Sequence, residues 1–271
     1  MKRVVKGTEP TYLTTFRDAI PHGTWEQLRD DPHYGGQNAY QHCRMQSIRD
    51  QNGLCAFCEI DIRDGNPLKS RVEHFHPKSD AANNHNWALD WNNMLGVCNG
   101  GSNPHLIADG FHLKPTEKNL SCDAHKDRMI QTGRLAQKCE GWIINPLMLA
   151  AFPSLFQIHK GTGHLLPDVA GCAALSNWPD KQHTSLESLV QFTIDMLNLN
   201  CDRLAQARLR VIWDIERNKR LQRQSGYTPQ QGLTNLVHRY FRIQWPAFFT
   251  TIRLCLGNVA EEHLLEIHYQ G

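Results

Sequence analysis

From residue 185 onward the apolar positions fall at three- and four-residue steps, the repeat of a helix that buries one face. Leu186, Leu189, Val190, Ile194 and Leu197 form one such set, and Leu204, Leu209, Val211, Ile212 and Ile215 another. They predict a helix from Ser185 and a second from about Asp202 to Arg223, broken by Tyr227-Thr228-Pro229. Leu233 to Leu256 reads as a further helical segment, interrupted at Pro246. Upstream the period changes. Phe152 to Leu166 predicts a short strand pair turning at Lys160-Gly161-Thr162-Gly163. Residues 1–45 are punctuated by Pro10, Pro21, Gly23, Pro32 and Gly35-Gly36, which leaves room for short helices such as Thr24 to Arg29. Gln41 to Asp50 predicts a helix, ended by Gln51-Asn52-Gly53.

Between these segments lies Cys55 to Lys126, where no single period holds. Cys55 to Asp61 reads as a cysteine knuckle running into a strand, Asp64-Gly65-Asn66-Pro67 as a turn, and Arg71 to Phe75 as a second strand. The two strands are expected to form a hairpin with Glu73-His74 at its far end. Ala81 to Asn93 predicts loop or short helical structure, and the Gly- and Pro-bearing insert 99–121 a mobile loop. Asp123 to Leu135 is polar and helix-permissive. The expected organisation is an α+β chain: an N-terminal arm over 1–45, a compact core over 46–135 and a mainly α-helical region over 136–271.

The chain has 271 residues, 40% hydrophobic and 21% charged, the proportions of an ordinary globular protein with a substantial core. A formal charge of +2 does not mark a bulk nucleic-acid binder, so any footprint for a polyanion must be local. One candidate is the predicted helix over Asp202–Arg223, where Arg203, Arg210 and Arg217 recur every seven residues with Arg220 alongside. Such a stripe either tracks a phosphate backbone or is a solvated face. Met1-Lys2-Arg3-Val4-Val5-Lys6-Gly7 has charge but no apolar run behind it, unlike a secretory signal, and no stretch reaches the ~18 apolar residues of a membrane span. The 9 cysteines, an odd number at irregular spacing, favour reduced thiols and metal ligands over disulfides. A cytoplasmic protein without a membrane partner is expected.

The candidate chemistry sits in the middle stretch. Cys55-x-x-Cys58 lets one loop offer two sulfurs to one ion, and Cys98 and Cys122 can complete a tetrahedral zinc shell. His105, His112 or His125 is the alternative for one of these sulfurs. Glu73-His74 and Cys122-Asp123 read as a second, harder metal site. Phosphodiester hydrolysis needs an activated water and positive charge for the phosphate. A neutral histidine can take the water's proton, and a Mg²⁺-type ion on two carboxylates can bind the phosphate. Consecutive strand residues point to opposite faces, so a bulge or strand end is expected to bring Glu73 and His74 to one phosphate. Lys78 and Lys126 are candidate phosphate contacts.

The order Cys-x-x-Cys, Glu-His, Asn-Met-Leu-x-Val-Cys, Cys-Asp-x-x-Lys resembles an HNH endonuclease, with a ββα-metal (His-Me finger) core. The resemblance implies that Glu73 and Asp123 are ligands of a catalytic Mg²⁺ or Mn²⁺ and that His74 is the general base. It also implies that Asn93, five residues before Cys98, holds the catalytic loop, and that His76 lies near the phosphate or serves as scaffold. Glu at 73 and Asp at 123 depart from the family's usual Asp and His or Asn. A wider set is similar to the PtuB-like effectors of Septu and retron-linked anti-phage systems, over residues 1–215. It comprises Lys6 and Pro10, Glu-His-Phe-x-Pro-Lys-Ser, Val97-Cys98-Asn99-Gly100-Gly101, Ile144-Asn145-Pro146 and Met196-Leu197-Asn198-Leu199-Asn200 with Leu204 and Arg208. That similarity implies nucleic acid, DNA above all, as substrate and a PtuA-type ATPase as partner. In retron versions it adds a reverse transcriptase with its RNA–DNA hybrid. The alternative is a zinc-knuckle subunit that docks on an ATPase and cuts nothing.

Overall fold

The computed structural model describes residues 1–32, 36–80, 85–102, 117–175, 177–179 and 181–271. Gly35, the start of the Ala81–Asn93 stretch and the middle of the insert 99–121, with His105 and His112, lie outside the described residues.

The arm folds as α1 (Thr11–Ala19) and α2 (Trp25–Asp30). A capping box starts α2: Thr24 Oγ1 accepts from the Gln27 N–H at 3.1 Å, and Gln27 Oε1 accepts from the Thr24 N–H at 2.8 Å, which satisfies two otherwise orphaned donors. Leu13, Phe16, Trp25 and Leu28 bury against Ala39 and Cys43 of α3 (Gly36–Asp50) and against Leu89, Trp91 and Met94. α3 begins five residues earlier than expected and ends at the left-handed Asn52 and Gly53.

Strand β1 (Ser70–His74) pairs antiparallel with β2 (Met94–Cys98), with Glu73 opposite Leu95 and His74 opposite Met94. This corrects the expected hairpin, because Cys55 to Asp61 supplies only the isolated bridge of Leu54 with Asp61. The knuckle spends its hydrogen bonds on itself. The Cys55 N–H donates to the Ile60 carbonyl and the Glu59 N–H to the Cys55 carbonyl, both at 3.0 Å, with Glu59 at φ 63°. Ala56 reaches β2 through its backbone, donating to the Gly96 carbonyl at 3.1 Å. α3 crosses the sheet so closely that a Cβ on Gly96 would stand 3.2 Å from the Ile48 backbone nitrogen. α4 (Cys122–Gln131) packs on β2 from the other end of the chain segment.

β3 (Phe156–His159) and β4 (His164–Pro167) form the expected second hairpin, followed by α5 (Val169–Ala174). α6 (Leu186–Met196), α7 (Asp202–Gln224), α8 (Pro229–Tyr240), α9 (Phe249–Leu256) and α10 (Asn258–Glu266) make the helical half. Pro229 ends one pattern because it opens the next helix: it occupies the first turn of α8 behind a Thr228–Gln231 capping box. The expected 233–256 segment is two helices, separated around Pro246 by a stretch that closes with Phe248 at φ 57°. One core links Met1 and Val4 to Phe57, Leu95, Ile194, Leu204 and Phe248, and a second gathers Leu209, Ile215, Leu236, Phe249 and Leu264. No described helix is long and apolar enough to cross a membrane.

The basic stripe on α7 is not one face. Arg203 and Arg208 are buried, with Arg203 only 2% exposed, whereas Arg210, Arg217 and Arg220 are exposed.

Candidate active site and metal centre

Four thiols converge. Cys55 and Cys58 come from the knuckle, Cys98 from the end of β2 and Cys122 from the start of α4, and all are buried. Their sulfurs lie within 4.8 Å of one another, with Cys55–Cys122 at 3.9 Å and Cys58–Cys98 at 3.7 Å. A tetrahedral ion with Zn–S bonds of about 2.3 Å requires sulfur–sulfur edges of about 3.8 Å. A disulfide needs about 2.05 Å, so this is a four-sulfur cage that could hold zinc rather than a pair of bridges. Donors face the sulfurs: the Cys98 N–H to Cys55 Sγ at 3.3 Å, the Gly100 N–H to Cys98 Sγ at 3.4 Å and Ser121 Oγ to Cys122 Sγ at 3.7 Å. Arg203 donates to that Ser121 hydroxyl at 2.5 Å, which turns the hydroxyl proton toward sulfur. Cys122 sits at φ 55°, a left-handed position that the cage holds in place. His125, the alternative ligand, is not among the gathered groups, and its Nδ1 faces the Met196 carbonyl at 3.0 Å. Among the described residues no other group of three or more His, Cys, Asp or Glu gathers in this way.

Beside the cage two acids meet. Glu73 of β1 and Asp123 in the first turn of α4 are both buried, and their carboxyl groups lie close enough to act on one another. Lys126, one turn further along α4, pairs with Glu73, and Arg71 Nε pairs with Asp123 at 2.8 Å. Burial pushes the Glu73 carboxyl well up; Lys126 opposes that and Asp123 adds to it. Burial pulls on the Lys126 ammonium too, but Glu73 more than offsets it and holds it above its ordinary value. Lys126, a candidate phosphate contact, is buried and takes Glu73 as its partner. Its length is used to reach a buried acid. Asp123 Oδ1 is buried and has no donor on it among the described residues.

His74 faces away from this pair. β1 is regular as far as His74, so the alternation of strand side chains sends Glu73 toward α4 and His74 toward α2. Its Nε2 meets the Ala88 carbonyl at 3.1 Å and its ring meets Trp25 edge-on at 4.7 Å. Burial lowers its pKa to about 4, so the imidazole is neutral at pH 7.

His76 and Asn93 form the next turn. Asn93 Oδ1 accepts from the His76 N–H at 2.7 Å, and its Nδ2 donates to the carbonyls of His76 at 3.0 Å and Trp87 at 2.9 Å. One side chain thus ties the segment after β1 to the loop before β2. The His76 ring stacks on Trp87 at 3.9 Å between two carboxylates, Asp80 at 2.8 Å on Nε2 and Glu140 at 2.7 Å on Nδ1. Sequence reasoning missed Arg71, Asp80, Glu140 and Trp25. Asp80 lies four residues beyond His76 and was open to notice; nothing in the chain links Glu140 or Trp25 to the motif.

No family model matches the chain. Among curated proteins it is similar to the "Retron Ec83 putative HNH endonuclease" of Escherichia coli, 36% identical over 264 residues that cover 93% of this chain and 92% of the relative. The match spans the cysteine cage, the Glu73–Asp123 pair and the helical half alike, and identity of this degree over nearly the whole length of both proteins places the chain in the HNH endonuclease family.

Proposed function

We propose that the chain is a metal-dependent endonuclease that hydrolyses phosphodiester bonds of nucleic acid, DNA in the first place, as the effector of an anti-phage complex. The observation that carries this reading is the meeting of Glu73 and Asp123, from different elements, beside the strand that ends in a neutral His74. In this reading β1, β2 and α4 are the ββα-metal core, the four cysteines hold a structural zinc, and Glu73 and Asp123 hold Mg²⁺ or Mn²⁺. Two buried carboxylates suit a hard ion that keeps several waters, and the donor-free Asp123 Oδ1 is an open ligand position. When bound, such an ion supplies positive charge to the phosphate and the leaving oxygen.

The remaining steps belong to the side chains. With Nε2 donating to the Ala88 carbonyl, His74 presents Nδ1 as a proton acceptor. It takes a proton from the attacking water as that oxygen bonds to phosphorus and a phosphorus–oxygen ester bond breaks. The leaving oxygen takes its proton from solvent, so water and the diester become a phosphomonoester and an alcohol. An in-line displacement puts attacking and leaving oxygens on opposite sides of phosphorus. Glu73 and His74 leave β1 on opposite faces, so in this reading the phosphate lies at the end of the strand, where His74 is its last residue. Asn93 holds the turn behind His74, and Lys126 and Arg71 supply countercharge to the acids.

The retron setting of the relative supports a reverse transcriptase with its RNA–DNA hybrid as an associate, and the PtuB-like motif set supports a PtuA-type ATPase, all in the cytoplasm. The test is cleavage of plasmid DNA by the zinc-loaded protein, alone and with the ATPase, with and without Mg²⁺ or Mn²⁺. Metal-dependent cutting that His74→Ala abolishes supports the reading. Its absence in every combination would favour a docking subunit that cuts nothing.

A further inference from the structure

A groove of about 1010 Å³ runs beside His74, between the arm segment Arg17–Glu26 and residues 78–80 and 85–90. Trp25 and Ala88 line it, and both touch the His74 ring, so it opens on the face of β1 that carries the neutral imidazole. Three residues tie its walls together. Asn86 Nδ2 donates to the Pro21 and Gly23 carbonyls, both at 2.8 Å, which anchors the arm. Arg17, paired with Glu9 at 2.7 Å, also donates across to the Leu89 carbonyl at 3.2 Å. The third is Lys78, in an ion pair across the mouth with Glu26 of α2, with side chains 42% and 52% exposed. Lys78 thus takes its carboxylate from the opposite wall, and a pair this exposed is weak. A second anion can displace it.

We propose that this groove takes the phosphodiester backbone of the substrate strand, with Lys78 as a phosphate contact and Glu26 as an intramolecular stand-in for that phosphate. The proposal rests on the nuclease reading and deepens it. The arm is then a wall of the substrate groove, and an entering strand must exchange the Glu26 carboxylate on Lys78 for a phosphate oxygen. Until it does, Glu26 repels weakly bound anions from the face that carries His74.

The test is fluorescence anisotropy of labelled single-stranded and duplex DNA with the full-length, zinc-loaded chain and no other divalent ion. Glu26→Gln should tighten binding by roughly two- to fivefold, the range of an exposed ion pair. Lys78→Ala should weaken binding and lower the salt slope by about one. The gain from Glu26→Gln should shrink in the Lys78→Ala background, because the two act on one another. Unchanged affinity in both single variants, with zinc content and thermal melting as in the wild type, overturns the proposal. So does an equal gain from Glu26→Gln with and without Lys78. Hydrolysis of bis(4-nitrophenyl) phosphate by the wild type, measured in parallel with Mg²⁺ or Mn²⁺, reports on the nuclease reading alone.

Discussion

The two candidate metal centres share α4, one residue apart, and are built in opposite ways. The cysteine cage is closed: four ligands of one kind, backbone donors on the sulfurs, and Arg203 acting through Ser121. The Glu73–Asp123 site is open: two acids, two cations from the chain itself, an oxygen without a donor, and a histidine on the far side of the strand. A closed shell holds its geometry with only the ion added, whereas an open one is completed by metal, water and substrate. Damage to the first should therefore be read in folding, and damage to the second in rate.

The largest effect expected is loss of the fold. A Cys55→Ser/Cys58→Ser variant removes half the sulfur cage and leaves Cys98 and Cys122 buried without partners. Structural zinc contributes about 10–16 kcal/mol in small zinc domains, so this variant should lack zinc and lose its cooperative thermal transition. Metal analysis together with calorimetry checks it. About one zinc per chain retained in the variant would break the comparison at its first term.

Next in size is the base. His74→Ala should leave zinc content and melting near the wild type while cleavage falls about 10²–10⁴-fold. Asp123→Asn should also slow cleavage, but by weakening the metal, so raised Mn²⁺ should recover part of the rate in Asp123→Asn and none in His74→Ala. A metal titration of the two rates separates them. Parallel rescue would mean that His74 and Asp123 serve one function and that the open site has no separate base.

How much of this was legible from residues alone divides along the same line. The cage was, because Cys-x-x-Cys fixes two ligands locally and an odd number of irregularly spaced cysteines points to metal ligands rather than disulfides. The step to Cys98 marked Asn93, but not the three hydrogen bonds it makes across the turn. The strand partner of β1 was not legible, because the Cys55 and Glu59 donors close on the knuckle itself and only coordinates reveal that. The seven-residue arginine repeat misled because charge was taken as surface; Arg203 is inside, donating to the serine that faces Cys122. The helical half was read from its period, but α10 follows α9 after Gly257 with no new turn signature beyond that glycine, at φ 62°. Contacts distant along the chain, such as Glu140 on His76, leave no trace in spacing.

A smaller effect should come from the hinge between the two kinds of site. Asn93→Ala removes three hydrogen bonds that tie the turn after His74 to the loop before β2, and it strands a buried N–H and carbonyl of His76. Unsatisfied groups of this kind cost about 1–3 kcal/mol each, less whatever water restores. Melting should fall measurably with zinc retained, and cleavage should fall less than in His74→Ala. Asn93→Asp keeps the acceptor and loses both donations, so it should lie between wild type and Asn93→Ala. A variant as stable as the wild type would place the turn's order elsewhere.

The smallest effect expected is on the arm, where Lys6 carries a linkage that neither metal site shares. Its ammonium lies over the Trp91 ring at 3.1 Å and donates to the Met94 carbonyl at 2.8 Å, which pins the chain ahead of α1 to the first residue of β2. Burial lowers its pKa to about 7, with Asp50 opposing the shift. In the unfolded chain the same group titrates near its ordinary value of about 10.4. Between those values the unfolded state binds more protons than the folded one, so this group makes stability rise with pH. Its contribution is full above the unfolded pKa and is lost as pH falls through the folded value of about 7. Lys6→Met keeps the stem over Trp91 and removes the titration. The difference in melting temperature between wild type and Lys6→Met should therefore move in favour of the wild type from pH 7 to 9, with little change below pH 6. A difference that is constant with pH would mean that Lys6 stays charged against Trp91, and the arm would then be held by cation–π attraction rather than by a lysine that gives up its proton.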